Sequence, residues 1–196
     1  MATHKNRGHR TSGESTRSSR PDSPEVEVIN DPDSVARLIC LRLLEQRPRT
    51  RSELTAALSR RGVPDGAAER VLDRFAEVGL VDDLAFAATF VSGQHVRRKL
   101  SGRAIGLQLR KRGVSEETVA QAVAEIDPAS EESAARELVA SKLARYRDSD
   151  PQIARRRLTA MLGRRGYSTS LSLMVVREAL GEQSDELDSI RDDEVG

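Results

Sequence analysis

The sequence predicts an all-α protein made of three tandem three-helix modules. Three observations carry that prediction. A helix-ending pattern recurs three times at nearly constant spacing. Aromatic residues are only 3% of the 196, with no Trp, while Ala, Leu, Val and Arg abound. That composition suits helices better than a β sandwich. No stretch alternates apolar and polar residues over strand length beside turn signals, so no sheet is expected.

The recurring pattern reads Leu54-x-x-x-Leu58-Ser59-Arg60-Arg61-Gly62-Val63, then Ile105-x-x-x-Leu109-Arg110-Lys111-Arg112-Gly113-Val114, then Leu158-x-x-x-Leu162-Gly163-Arg164-Arg165-Gly166-Tyr167. The glycines lie 51 and then 53 residues apart. Apolar pairs follow at one offset from each: Val71 and Leu72, Ala122 and Val123, Val175 and Val176. Matched positions at a fixed period mark internal repetition. Each copy reads as a helix that ends in cations and a glycine, the cations complementing the carbonyl end of the dipole and the glycine taking the left-handed position.

Taken in order, residues 1–33 are a Ser-, Arg- and Pro-rich end expected to be disordered. Module one, 34–80, opens with 35–44, apolar almost all round except Arg37 and Arg42 and therefore expected to be largely buried. Thr50-x-x-Glu53 has the form of a capping box opening its second helix. Pro64 falls where a first-turn proline is tolerated in its third. Module two, 81–127, opens with a helix from Leu84 to about Val96 that puts Phe86 and Phe90 on one face. Module three, 128–181, opens with 134–146, where Leu138, Leu143 and Tyr146 mark one stripe. Asp82, Asp83, Glu131 and Glu132 read as first-turn carboxylates, and Ser115 and Ser168 as N-caps. Residues 182–196, with seven acids and one Arg, form a second expected disordered end. A unit of about 50 residues is marginal alone, so the modules are expected to pack end to end as an elongated curved arc.

Several function classes are disfavoured. No apolar run approaches the roughly 20 residues that cross a bilayer, and the N-terminus has no apolar h-region, so the chain is expected to be cytoplasmic with no membrane partner. A single cysteine, Cys40, excludes a disulfide framework and multi-cysteine metal sites. No phosphate-binding glycine loop is present. His95 is the one histidine outside the first 33 residues and reads as a surface or helix-end residue. The expectation is a protein that is not an enzyme, with no cofactor, no metal and no catalytic residue.

Net charge is +1, but residues 31–181 carry +6 and residues 182–196 carry −6. Only four of the 32 basic residues are Lys, and Arg favours bidentate contacts to carboxylate or phosphate. The candidate partner-binding or DNA-backbone-binding residues are Arg97, Arg98, Lys99, Arg103, Arg110, Lys111 and Arg112 in module two, with Arg155, Arg156 and Arg157 in module three. Cations at helix ends explain Arg110, Lys111 and Arg112. They do not explain Arg97-Arg98-Lys99 or Arg155-Arg156-Arg157, which read as lying near helix junctions or starts. The helix after each repeated glycine is acidic or nearly neutral, so major-groove readout is disfavoured and backbone-type contact survives.

The residues Leu43-Leu44, Arg49-x-Arg51-Ser52-Glu53-Leu54, Gly79-Leu80-Val81-Asp82-Asp83, Phe86-Ala87, Phe90-Val91, Gly102-x-x-Ile105 and Arg165-Gly166-Tyr167 resemble the RecX family of recombination regulators over 34–181. The resemblance implies a three-module all-α protein that binds the RecA recombinase filament on single-stranded DNA. It implies inhibition of ATP hydrolysis, strand exchange and coprotease activity. Ser92-Gly93-Gln94 departs from the family's Ser-Arg and removes one basic contact, with Arg97 or Arg98 as replacements. A monomer is expected. The alternative reading is a sequence-independent nucleic-acid-binding helical module acting without a protein partner.

Overall fold

The computed structural model describes residues 31–181, and within them the chain forms nine α-helices, one 3₁₀ turn and no strand. Helices α1 (Pro32–Gln46), α2 (Arg51–Ser59) and α3 (Asp65–Glu77) pack together, as do α4 (Asp83–Arg98), α5 (Gly102–Lys111) and α6 (Glu116–Ala124). The third group is α7 (Pro128–Leu143), which continues into the 3₁₀ turn Ala144–Tyr146, with α8 (Pro151–Arg164) and α9 (Thr169–Leu180). Each group has its own apolar core. The repeated pairs Leu54/Leu58, Ile105/Leu109 and Leu158/Leu162 are fully buried, one pair per core. Expectations for 1–30 and 182–196 as disordered ends lie outside the described residues.

Helix starts follow the capping residues. Thr50, Ser101, Ser115 and Ser168 each accept the backbone N–H three residues on. Asp82 accepts from both Leu84 and Ala85 at 2.9 Å. Gly62, Gly113 and Gly166 take φ of +74°, +77° and +90° after α2, α5 and α8, as the repeat requires.

Six details differ from the sequence reading. Asp82 is the N-cap of α4 and not a first-turn residue, leaving Asp83 alone in that turn. Helix α1 begins at Pro32, inside the expected tail, because Asp31 caps it and Pro32 suits a first turn. Its face carrying Leu38 and Leu41 is exposed, at 64% and 37%, because α2 and α3 pack on the opposite side, where Ala36, Cys40 and Leu43 are buried. Pro64 is the N-cap of α3, not a first-turn residue. Helix α7 starts at Pro128, so only Glu131 of its acid pair is in the first turn. The capping box is half formed: Thr50 Oγ1 accepts from Glu53 N, but the Glu53 carboxylate turns to Arg47 and Arg112.

The two junctions between modules repeat one design. At the first, the Arg51 backbone N–H donates to Asp83 at 2.8 Å, and the Thr50 hydroxyl donates to the Arg112 carbonyl at 2.7 Å. At the second, the Gly102 N–H donates to Glu131 at 2.8 Å, and the Ser101 N–H donates to the Arg165 carbonyl at 3.1 Å. In both, the free amide opening a middle helix is satisfied by a first-turn carboxylate of the next module. The residue capping that helix bonds the carbonyl just before the next module's glycine. Asp83 and Glu131 therefore clamp neighbouring modules as well as sitting well in a dipole. The second junction adds His95, buried in the last turn of α4, whose ring nitrogens meet the Leu100 carbonyl at 3.0 Å and Ser130 Oγ at 3.2 Å.

Candidate functional site

The ten cations singled out from sequence divide into those the fold employs and those it leaves to solvent. Helix α4 runs to Arg98, so Arg97, Arg98 and Lys99 stand at a helix C-terminus, where positive charge is favoured. The sequence argument that cations are unhelpful there fails. Lys99 is the one described non-glycine residue with positive φ, at +50°. Its carbonyl accepts the Tyr167 hydroxyl at 2.9 Å and its Nζ meets Glu137 at 2.8 Å, both in module three. Arg98 offers its carbonyl to Arg165. Arg110 pairs bidentately with Glu116, and that hydrogen-bonded pairing holds the Glu116 carboxyl below its usual range. Arg112 pairs with Glu53 across the first junction and covers the stacked rings of Phe86 and Phe90, at 5.5 and 4.9 Å from their centroids. Arg97, Arg103 and Lys111 have exposed side chains, Arg97 reaching back to the Gly93 carbonyl at 3.4 Å.

Module three differs. Arg155, Arg156 and Arg157 lie in the N-terminal half of α8, where the dipole does not reward cations. Arg155 donates to Gln152. Arg156 and Arg157 line a groove of about 510 Å³ with Lys142, Arg145, Tyr146, Ala160, Met161 and Arg164. Its five cations face no carboxylate among the lining residues, and their side chains have no ion-pair or hydrogen-bond partner among the described residues. One wall is the end of α7 and the 3₁₀ turn; the other is α8. Sequence reasoning found Arg156 and Arg157 but read Arg164 as a helix cap and Tyr146 as core. The usable signal was Arg157-x-x-Ala160-Met161-x-x-Arg164, one helical face with small and flexible residues between two cations.

A second groove, of about 410 Å³, lies between modules one and two, with Leu44, Leu80, Phe86, Phe90 and Arg97 among its lining residues. Neither groove has a His, Cys or Ser among its lining residues. Among the described residues no group of three or more His, Cys, Asp or Glu is placed to hold a metal. Cys40 is fully buried, and burial pushes its thiol up, away from the reactive thiolate. No described helix is long and apolar enough to cross a membrane.

Comparison with known proteins meets this architecture module by module. Models of the first, second and third three-helix domains of RecX match residues 36–75, 82–123 and 130–176. This chain belongs to the RecX family. A regulatory protein RecX from Thermobifida fusca is 51% identical over 153 residues, covering 78% of this chain and 83% of the relative. One from Streptomyces coelicolor is 45% identical over 181 residues, covering 92% and 95%. The crystal structure of RecX from Lactobacillus salivarius superposes with a TM-score of 0.71 at 18% identity, covering 76% of this chain and 96% of that one. At that identity the likeness speaks for the fold alone. RecX proteins carry a regulatory name and not that of an enzyme.

Proposed function

We propose that this chain regulates homologous recombination by binding the RecA filament on single-stranded DNA and inhibiting its ATPase, strand-exchange and coprotease activities. It acts without catalysis, in the cytoplasm, as a monomer. Membership of the RecX family supports the reading. The observation that carries it is the set of cations without a carboxylate partner among the described residues: Arg97, Arg98 and Arg103 in module two, and Arg156 and Arg157 in module three. They sit on successive modules joined by repeated hydrogen bonds, so several weak contacts act together with avidity along a repeating filament.

The test is the single-strand-dependent ATPase of the cognate RecA, titrated with this protein below stoichiometric amounts, beside an anisotropy titration of naked DNA. The expected result is inhibition at concentrations that leave naked DNA unbound. No inhibition, or inhibition only where the DNA is already coated, moves the reading to a nucleic-acid-binding module acting alone. Ala at Arg97, Arg98 and Arg103 together, or at Arg155, Arg156 and Arg157 together, should weaken inhibition with helicity unchanged. Full inhibition by both variants refutes these residues as the contacts.

A further inference from the structure

The groove of module three gathers five cations with no carboxylate among its lining residues. Lys142, Arg145 and Tyr146 line it from the end of α7 and the 3₁₀ turn, and Arg156, Arg157, Met161 and Arg164 line it from α8. Like charges gathered without a counter-ion repel one another, and nothing in the local fold repays that. Helix-end stabilisation accounts for Lys142 and Arg164 at most, each in the last turn of its helix. Several clustered cations elsewhere are paired with carboxylates: Arg110 with Glu116, Arg112 with Glu53, Lys99 with Glu137.

We infer that this groove is a binding site for the phosphodiester backbone of single-stranded nucleic acid, with Tyr146 as a stacking surface for a base. The inference deepens the reading above by naming which partner this groove takes, the strand and not the protein of the filament. An aromatic ring among the cations favours nucleic acid over protein carboxylates, and two further features fit a phosphodiester strand. Arg157 and Arg164 lie two turns apart on one face of α8, about 10 Å along its axis. That is the span of about three nucleotides at the ~3.4 Å spacing of a stacked strand. Four of the five cations are Arg, whose planar fork engages two phosphate oxygens at once. Tyr146, Ala160 and Met161 line the groove among the cations, and an aromatic ring with small and flexible neighbours takes a flat base without sequence preference. Tyr146 is half-buried, its ring packed against the module core, and its hydroxyl has no partner among the described residues. The acidic or neutral α6 and α9 play no part, in keeping with backbone rather than groove readout.

The test uses the full chain and a fluorescein-labelled oligothymidylate of about fifteen nucleotides, long enough for one site. Anisotropy is followed over a salt series. Replacing Lys142, Arg157 and Arg164 together by Ala should flatten the log–log salt slope by about 2, at ~0.7 per phosphate on a single strand. Tyr146→Ala should weaken binding about tenfold with the slope unchanged. Arg70→Ala, which removes a cation paired with Asp33 in module one, should leave both unaltered. An oligonucleotide carrying 5-iodouracil should crosslink to Tyr146 in the unmutated protein, a readout that needs no variant to fold. Equal affinity and slope for the triple variant and the unmutated chain, with crosslinks elsewhere, overturns the inference. If the triple variant also loses RecA inhibition while oligonucleotide binding is unchanged, the groove takes filament carboxylates, the inference fails and the regulatory reading stands.

Discussion

The three repeated glycines look equivalent in sequence but do not behave alike in the fold, and Ala substitution separates two effects. At Gly62, φ is +74° and an added Cβ meets nothing within 4 Å. Gly62→Ala therefore carries the left-handed backbone cost alone, about 1–2 kcal/mol. At Gly113, φ is +77° and the added Cβ stands 2.1 Å from Ser52 Oγ and 2.3 Å from Ser52 Cβ. Ser52 Cβ is fixed to α2 and cannot swing aside, so the modules must part. Overpacking adds about 1–3 kcal/mol. At roughly 2–4 °C per kcal/mol for a chain of this size, Gly62→Ala should lower Tm by about 3–6 °C and Gly113→Ala by about 7–14 °C. The check is thermal melting followed by circular dichroism at 222 nm. Ser52→Gly removes both clashing atoms and leaves the Ser52 Cα at 3.8 Å, an ordinary contact. The double variant should recover the steric part, an interaction energy of about 1–3 kcal/mol in a double-mutant cycle. Equal losses at Gly62 and Gly113, or no rescue by Ser52→Gly, would refute the claim that Gly113 is kept small by the neighbouring module.

Other outcomes follow from the junctions. Thr50→Val keeps the shape but strips the hydroxyl that caps α2 and holds the Arg112 carbonyl; it should cost about 2–4 kcal/mol in urea unfolding, while Thr50→Ser stays near the unmutated chain. Glu131→Ala frees a half-buried amide at the second junction and should cost about 1–3 kcal/mol, whereas Glu137→Ala breaks only an exposed pair with Lys99 and should cost under about 1 kcal/mol. Burial pushes the Tyr167 hydroxyl up to about 12. Its neutral form is the one the fold favours, so this contribution is complete below the ordinary tyrosine value of about 10 and is lost as pH rises toward 12. The urea-midpoint advantage of the unmutated chain over Tyr167→Phe should shrink across that window; a constant gap would refute the assignment.

Much of this fold was legible because its determinants are local. Leu54 and Leu58 mark a buried stripe four residues apart, Gly62 a left-handed turn, and Ser115 and Ser168 free amides in need of an acceptor; each is decided within a few residues. What was not legible is pairwise across modules. Asp83 and Glu131 read as dipole partners, and that reading is true but incomplete, because the amides of Arg51 and Gly102 arrive from 32 and 29 residues away. The exposure of Leu38 has the same origin. Composition puts α1 in the core, and only the placement of α2 and α3 on its other face leaves that side uncovered.

The candidate site was half legible for a related reason. A basic cluster in a sequence shows where charge is, whereas a binding role depends on whether the fold has already neutralised it. Arg110, Arg112 and Lys99 are as conspicuous in the chain as Arg156 and Arg157, yet each has a carboxylate within 3.3 Å. With α4 extending to Arg98, the dipole gives the Arg97-Arg98-Lys99 run a local explanation, but only Lys99 of the three has a carboxylate partner among the described residues. Arg164 made the opposite move. It had a sufficient local explanation as a helix cap, and only the facing wall formed by Lys142, Arg145 and Tyr146 makes it one cation of an uncompensated set. The informative quantity is therefore the absence of a partner, which no window of sequence contains. It separates the cations that hold this protein together from those that remain available to a polyanion.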